Sequence, residues 1–405
     1  MSQSLLLNPT AVEAGLEAAF VSRIRASDQQ RDAFMRFAKT GLPHRRMENW
    51  RWSDYRVLAQ KGPSAGAKPA SDLFAEVDSI EIILTDDGVK LSSKQKGLTV
   101  SSDQPVLTPA VLMEHPIAAL TEALSVYCLK VKVAAGAIVL KPIVLKDERR
   151  KSETFVQIQV TLGFGSRASF VHLADRNNVN QSAICEINVE KDAEFDHYML
   201  GVNNGEGVNV IVNAVSMDIN SSYNSSSFSS GSSLSRFETH LTYKGNEARA
   251  SINSATLLSG KAHSDFTTCI NHDAEGCVTR QLHKSVASDR GNAVFQGKFL
   301  VNRPAQKTDA QMTANALLLS DTAEANHKPE LEIYADDVEC AHGSTAGALD
   351  EDALFYLRQR GLSEEAARQL LVEAFVGEVL DNIGDEQIAS IFSQCISASS
   401  SGDKS

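Results

Sequence analysis

The stretch from Val126 to Leu173 reads VYCLKVKVAAGAIVLKPIVLKDERRKSETFVQIQVTLGFGSRASFVHL, and its pattern decides the fold. Apolar and polar residues alternate in Val126–Val133, Ala137–Leu145, Phe155–Leu162 and Ser169–Leu173. A period of two places alternate side chains on opposite faces of a strand. Ala135-Gly136 and Gly163 with Gly165 supply the turns between these runs. Similar runs return at Ile184–Val189, Val208–Val212 and Val294–Val301. Further turns are read at Lys191-Asp192, Gly245-Asn246 and Gly291-Asn292. An alanine begins the next strand after most of them: Ala137, Ala168, Ala193, Ala248 and Ala293. Strand–turn units recurring every roughly 20–30 residues suit a solenoid, in which each coil stacks on the last. An antiparallel sandwich is the alternative that this pattern leaves open.

Outward from this core the period changes to that of a helix. Thr10 with Glu13, and Ser27 with Gln30, have the capping-box form. Each is followed by apolar residues at helical spacing: Val12, Leu16, Ala19, Phe20 and Ile24, then Ala33, Phe34, Phe37 and Ala38. Gly41 and Pro43 are stop signals. At the other end Asp350 caps a helix closed by Gly361. Ser363 caps a second, with Glu364 and Glu365 at its positive dipole end. Ala367, Leu370, Leu371, Ala374, Phe375 and Val379 are read as one apolar stripe. A third short helix is expected from Asp385 to about Cys395. The chain thus divides into a helical region (1–61), a linker (62–77), a β core (78–347), a second helical region (348–396) and a disordered tail (397–405). The Ser-rich run Asn220–Arg236 reads as a low-complexity loop, or as strand with its polar faces outward.

With 405 residues and a net charge of −12, the chain lacks the basic footprint of a nucleic-acid binder. The one basic–aromatic patch, His44 to Trp52, reads better as a link between the helical region and the β core. No run is long and apolar enough to span a bilayer, and Met1–Ala19 has no signal-peptide pattern. A cytoplasmic protein with reduced thiols is expected, its six cysteines being scattered and without a CxxC pair.

Candidate chemistry is sparse. Gly163-Phe164-Gly165-Ser166-Arg167-Ala168 has the GxGxxA form, but a strand follows where a dinucleotide site needs a helix. Ser259-Gly260-Lys261-Ala262 is not a P-loop. Cys269, His272 and Cys277 have ligand-like spacing, yet residues three apart on a strand face opposite ways. Cys340 and His342 are two apart and project to one side, as a thiolate–imidazole ligand pair must. The same pair read as nucleophile and base lacks an orienting third group.

Three segments carry a family resemblance. They are Gly41-Leu42-Pro43-His44-Arg45-Arg46-Met47-Glu48-Asn49-Trp50 with Asp54, Gln306 to Gln311 with Leu317 to Asp321, and Lys328 through Cys340-Ala341-His342-Gly343 to Arg358. They resemble the SufB/SufD family of the SUF iron–sulfur cluster assembly system. Cys340-x-His342-Gly343 and Thr345-Ala346-Gly347-x-Leu349-Asp350 match its D type. The B type has a His-Glu pair where His342-Gly343 stand, and a cysteine where Ala323 stands. The resemblance implies a right-handed parallel β-helix core flanked by N- and C-terminal α-helical regions. It implies a non-catalytic scaffold that pairs with SufB and docks two copies of the SufC ATPase. The docking stripe would be Leu370, Leu371, Ala374 and Phe375. Cys340 and His342 would lie at the SufB interface and hold iron only transiently, with no cofactor bound tightly by the chain alone. Closure of the SufC pair on ATP would shear that interface. The competing readings are a β-helix carbohydrate-active enzyme and a structural homodimer. The first needs a carboxylate pair on one face, and the adjacent Asp336 and Asp337 do not supply it on a strand.

Overall fold

The computed structural model describes residues 5–23, 26–59, 73–149, 153–174, 180–202 and 207–400. Its centre is a parallel β-solenoid of about seven turns. Odd and even coil strands form two sheets, of ten and nine strands. Successive coils are paired in parallel and in register, as Val208–Met217 is with Leu234–Tyr243, and that strand with His263–His272. The sandwich alternative is excluded, because among the described residues antiparallel pairing is confined to the two strand pairs at the N-terminal end.

The corners explain the turn residues. Gly136, Gly165, Asp192, Asn220, Glu247, Gly276 and Lys307 all have left-handed φ, between 55° and 71°. Each donates its amide to a carbonyl of the next coil, in sequence those of Phe164, Lys191, Ile219, Asn246, Glu275, Gln306 and Asp337. The left-handed residue therefore recurs once per coil and aims its N–H along the stack. That inter-coil bond is available to offset the strain borne by the non-glycine members. The residues that follow, Ala193, Ser221, Ala248, Cys277 and Thr308 among them, are small and buried. Gly245 is required for closeness instead. A Cβ there would meet Ile219 N at 2.1 Å and Asp218 C at 2.5 Å, backbone atoms that cannot swing away. Gly245→Ala is expected to cost at least about 2 kcal/mol. A urea midpoint lowered at unchanged m would show it, and an unmoved midpoint would refute it.

Inside the coils lies a core that includes Ile158, Phe195, Ile211, Phe237, Phe299 and Met312. The Ser-rich run corrects the loop reading. Ser222–Gly231 is a strand whose Ser225, Ser227 and Ser229 are buried inward, while Ser226, on the outer face with Phe228, is buried too. Ser225 stacks in register between His197 and Ile252, and Ser227 beside Met199. Bulky neighbours in one coil leave room for a small side chain in the next.

Each helical region covers the outer face of one sheet. Helices α1 (Ala11–Val21), α2 (Asp28–Thr40), α3 (Tyr55–Leu58) and α4 (Pro116–Leu124) belong to the N-terminal side. Phe34, Phe37, Ile117 and Leu120 pack on Ile184, Val210 and Val212 of the nine-stranded sheet. Both capping boxes are formed, and Gly41 closes α2 at φ 68°. On the other face α5 (Glu351–Gln359), α6 (Glu364–Gly377) and α7 (Glu386–Ser400) follow the solenoid. Val372, Val376, Ile388 and Phe392 pack on Val171, Leu200, Phe228 and Leu257. Two expectations need correction. The last helix does not stop near Cys395 but runs through Ser400, because Ile391, Phe392, Cys395 and Ile396 bury one face of it. Residues 401–405 of the expected tail lie outside the described residues. Likewise 62–72 of the expected linker are not described, but Phe74 is buried in the core beneath the C-terminal helices. Among the described residues no helix is long and apolar enough to cross a membrane.

Candidate functional site

The two ends of the solenoid differ. At the N-terminal end the antiparallel strands Gly88–Leu91 and Leu98–Asp103 close the two sheets. At the other end Glu324–Ile333 and Val338–Gly347 each pair on one side only and stand last in their sheets. This leaves two parallel strand edges with unpaired backbone groups, the kind of edge that recruits another strand.

Cys340 and His342 lie on the second of these edges. In register they sit over Ala310 and Met312, both core residues, so they continue the inward-facing column into the open end. Cys340 is half-buried, and burial pushes its thiol up. His342 is exposed. The next inward residue, Ser344, is 2.8 Å from His327 Nδ1 on the neighbouring last strand. His327 lies edge-on to Phe295, and burial lowers its pKa. His327 and Ser344 were not singled out in the sequence. The signal was there: His327 shares the parity of Leu331, which packs on the core. The outer side of this end is charged. Lys328 reaches Glu48 at 2.8 Å and Glu330 at 3.0 Å, while Lys298 reaches Glu332 at 2.7 Å. The Glu48 contact joins the first recognised segment to the third. Asp336 and Asp337 lie in the turn between the last two strands, not on a strand face.

The other candidate cluster is not brought together. Cys269 faces outward, while His272 points inward against Tyr243 and 3.1 Å from Thr279. Cys277 is buried at a corner, its Sγ 3.4 Å from the Gly245 carbonyl. Among the described residues no three His, Cys, Asp or Glu side chains are placed to hold a metal ion.

The expected stripe on α6 divides in two. Ala367, Val372, Val376 and Val379 make the buried face, with Leu371 and Phe375 partly buried beside it. Leu370 and Ala374 point to solvent. Lys284 fixes this face to the solenoid, 4.6 Å from the Phe375 ring and 2.6 Å from Glu378. Phe355 and Tyr356 of α5 are 65% and 57% exposed, and Leu370 is 46% exposed. The C-terminal helices therefore carry an uncovered apolar surface; of the four expected docking residues Leu370, Leu371, Ala374 and Phe375, Leu370 and Ala374 lie on it.

Residues 144–375 match the family model "SUF system FeS cluster assembly, SufBD core domain". The chain belongs to the SufBD family. It is similar to iron-sulfur cluster assembly protein SufD of Escherichia coli (strain K12), at 30% identity over 382 residues, covering 89% of this chain and 90% of that one. A SufBD family protein of Synechocystis sp. is 34% identical over 246 residues, 59% of this chain and 53% of its own. The chloroplastic protein ABCI7 of Arabidopsis thaliana is 34% identical over 206 residues, 51% and 43% respectively. The SufBD core match spans most of the solenoid and runs into α6, so it takes in both the open coil end and the first C-terminal helices.

Proposed function

We propose that this SufD-type chain is a non-catalytic scaffold subunit of a SUF assembly complex, and that its uncapped coil end pairs with SufB. The observation that carries the reading is that end itself, two unpaired strand edges, the second of them bearing Cys340 and His342. A partner strand laid along the edges would satisfy their backbone groups and cover the inward column. Cys340 Sγ and His342 then supply two soft or borderline ligands, with the remainder coming from the partner, to iron that is passing into a nascent iron–sulfur cluster. The cluster is cargo at the interface and not a resident group of this chain. The exposed surface of Phe355, Tyr356, Leu370 and Ala374 is the counterpart for the SufC ATPase, two copies serving the SufB–SufD pair in the cytoplasm. Leu371 and Phe375 support it from beneath.

Co-expression with SufB and SufC, read by light scattering and iron content, tests this. A heteromer is expected whose iron and sulfide uptake falls at least about tenfold in His342→Ala, a loss of transition-state or ligand binding worth about 1.4 kcal/mol. The assembly itself should persist in that variant. Full uptake in His342→Ala would remove the site assignment. A chain that forms only a homodimer through the same strand edges would replace the partner assignment.

A further inference from the structure

Cys269 was read in the sequence with His272 and Cys277, but the solenoid gives it a different neighbour. It lies directly across the strand pair from His240. Parallel partners in register project to the same face, here the outer face of the nine-stranded sheet. His240 Nε2 is 2.8 Å from Glu238 Oε1, and the same imidazole hydrogen-bonds Cys269. Glu238 is fully buried and fixed by Arg236 at 2.8 Å, so the carboxylate cannot swing away from the ring. On the other side Cys269 is in register with Lys298. The thiol thus stands between an imidazole held by a buried carboxylate and an ammonium group. Cys269 and His240 are both partly exposed, unlike Cys128, Cys185, Cys277 and Cys395.

Nucleophile, base and orienting acid in contact is the arrangement that activates a thiol. The charged groups around it agree. Burial works against a charged His240, but the hydrogen bonds to Cys269 and Glu238 outweigh it and hold its pKa up at about 9. Near neutral pH the ring is an imidazolium. His115, the N-cap of α4, shares Glu238 at 3.4 Å, and Lys298 pairs with Glu332 at 2.7 Å.

We propose that Cys269, with His240 and Glu238, forms a reactive thiol site on the outer face of the solenoid, and that its substrate class is a small uncharged peroxide. The thiolate sulfur attacks one peroxide oxygen. An S–O bond forms and the O–O bond breaks. The leaving hydroxide takes the proton of the His240 imidazolium and departs as water. Cys269 is oxidised by two electrons to the sulfenic acid, and the peroxide is reduced. The partly covered position favours a small oxidant. Cys128, Cys185, Cys277 and Cys395 are buried and Cys340 lies on the last strand at the open end, which leaves the sulfenic acid to be captured by a thiol from solution.

The test exposes the full chain to hydrogen peroxide with dimedone near neutral pH, free cysteine being the internal reference, and reads each cysteine by mass spectrometry. Cys269 is expected to be labelled about tenfold faster than free cysteine, because His240 is held beside it to protonate the departing hydroxide. His240→Gln should bring it to or below the reference. Labelling of wild-type Cys269 slower than free cysteine overturns the proposal, whether or not the variant folds. So does a His240→Gln variant with native circular dichroism and an unchanged rate. The iron-uptake assay above does not depend on this outcome.

Discussion

Acidification from about pH 7 to about pH 5 is expected to remove most of the stability of this protein. The cause is a set of histidines buried in neutral form. Burial lowers His172 and His263 to about 4, and His197, His272 and His283 to about 3. Their partners are mostly neutral: Tyr223 at 3.0 Å from His197, Thr279 at 3.1 Å from His272, Ser254 at 2.7 Å from His283 and Ser53 at 2.9 Å from His263. None of these can stabilise an imidazolium as a carboxylate would. Once unfolded, each ring takes a proton near pH 6.5, whereas in the fold it waits until 3–4. Their contribution is therefore complete above about pH 6.5 and is lost progressively as pH falls towards 4.

At about pH 5 each of the five rings lies about 1.5 units below its unfolded pKa, about 2 kcal/mol apiece and about 10 kcal/mol together. That is the size of a whole domain's stability. His240 behaves oppositely, since its folded pKa is raised to about 9. Its contribution is complete below about pH 6.5 and fades as pH rises through 9, so it offsets under about 1 kcal/mol of the acid loss. Urea unfolding at a series of pH values should show a slope of several protons below about pH 6. A stability that is level between about pH 7 and pH 5 would refute the account.

These histidines also show where the sequence was legible and where it was not. The period-two runs around Phe155–Leu162 identified strands, because local alternation is a property of one strand alone. Thr10, Ser27, Asp350 and Ser363 identified helix starts, because a cap is made within its own turn. Which residues face each other between coils depends on register, and register is not local. Cys269 meets His240, and Ser344 meets His327, only because coils stack and close in a particular phase. Ser222–Gly231 looked like a loop because its serines suit the bulk of the coils on either side, not any preference of their own. The Cys340–His342 pair was legible because both members lie on one strand. Its position at an open end became visible only when the strand count and order were known.

The second large effect is expected at Arg236. Its guanidinium is fully buried, 2.8 Å from Glu238 and in contact with Asp265, and it lies 4.1 Å from the Trp50 ring. Ser53 completes the cluster by bonding both His263, at 2.9 Å, and Asp265. Trp50 and Ser53 come from the N-terminal region and the charges from the solenoid, so this cluster is the bolt between the two. Burial opposes a charged Arg236, but the two carboxylates outweigh it and raise its pKa. Arg236→Met removes that charge and leaves Asp265 and Glu238 in the interior, with only histidines to compensate them. Breaking a buried pair in this way costs about 3–5 kcal/mol, whereas replacing all its members can be close to neutral. Arg236→Met alone should therefore lower the urea midpoint strongly, and Arg236→Met with Glu238→Gln and Asp265→Asn should recover much of the loss. If the single variant were as stable as the parent, the cluster would not be holding the N-terminal region to the solenoid. The consequence reaches the open end, because the same segment places Glu48 on Lys328 of the last coil. Loosening at Trp50 frees Glu48, and with it the charged rim beside Cys340 and His342. Arg236→Met should thus weaken partner pairing at the coil end even though no atom of Arg236 is exposed there.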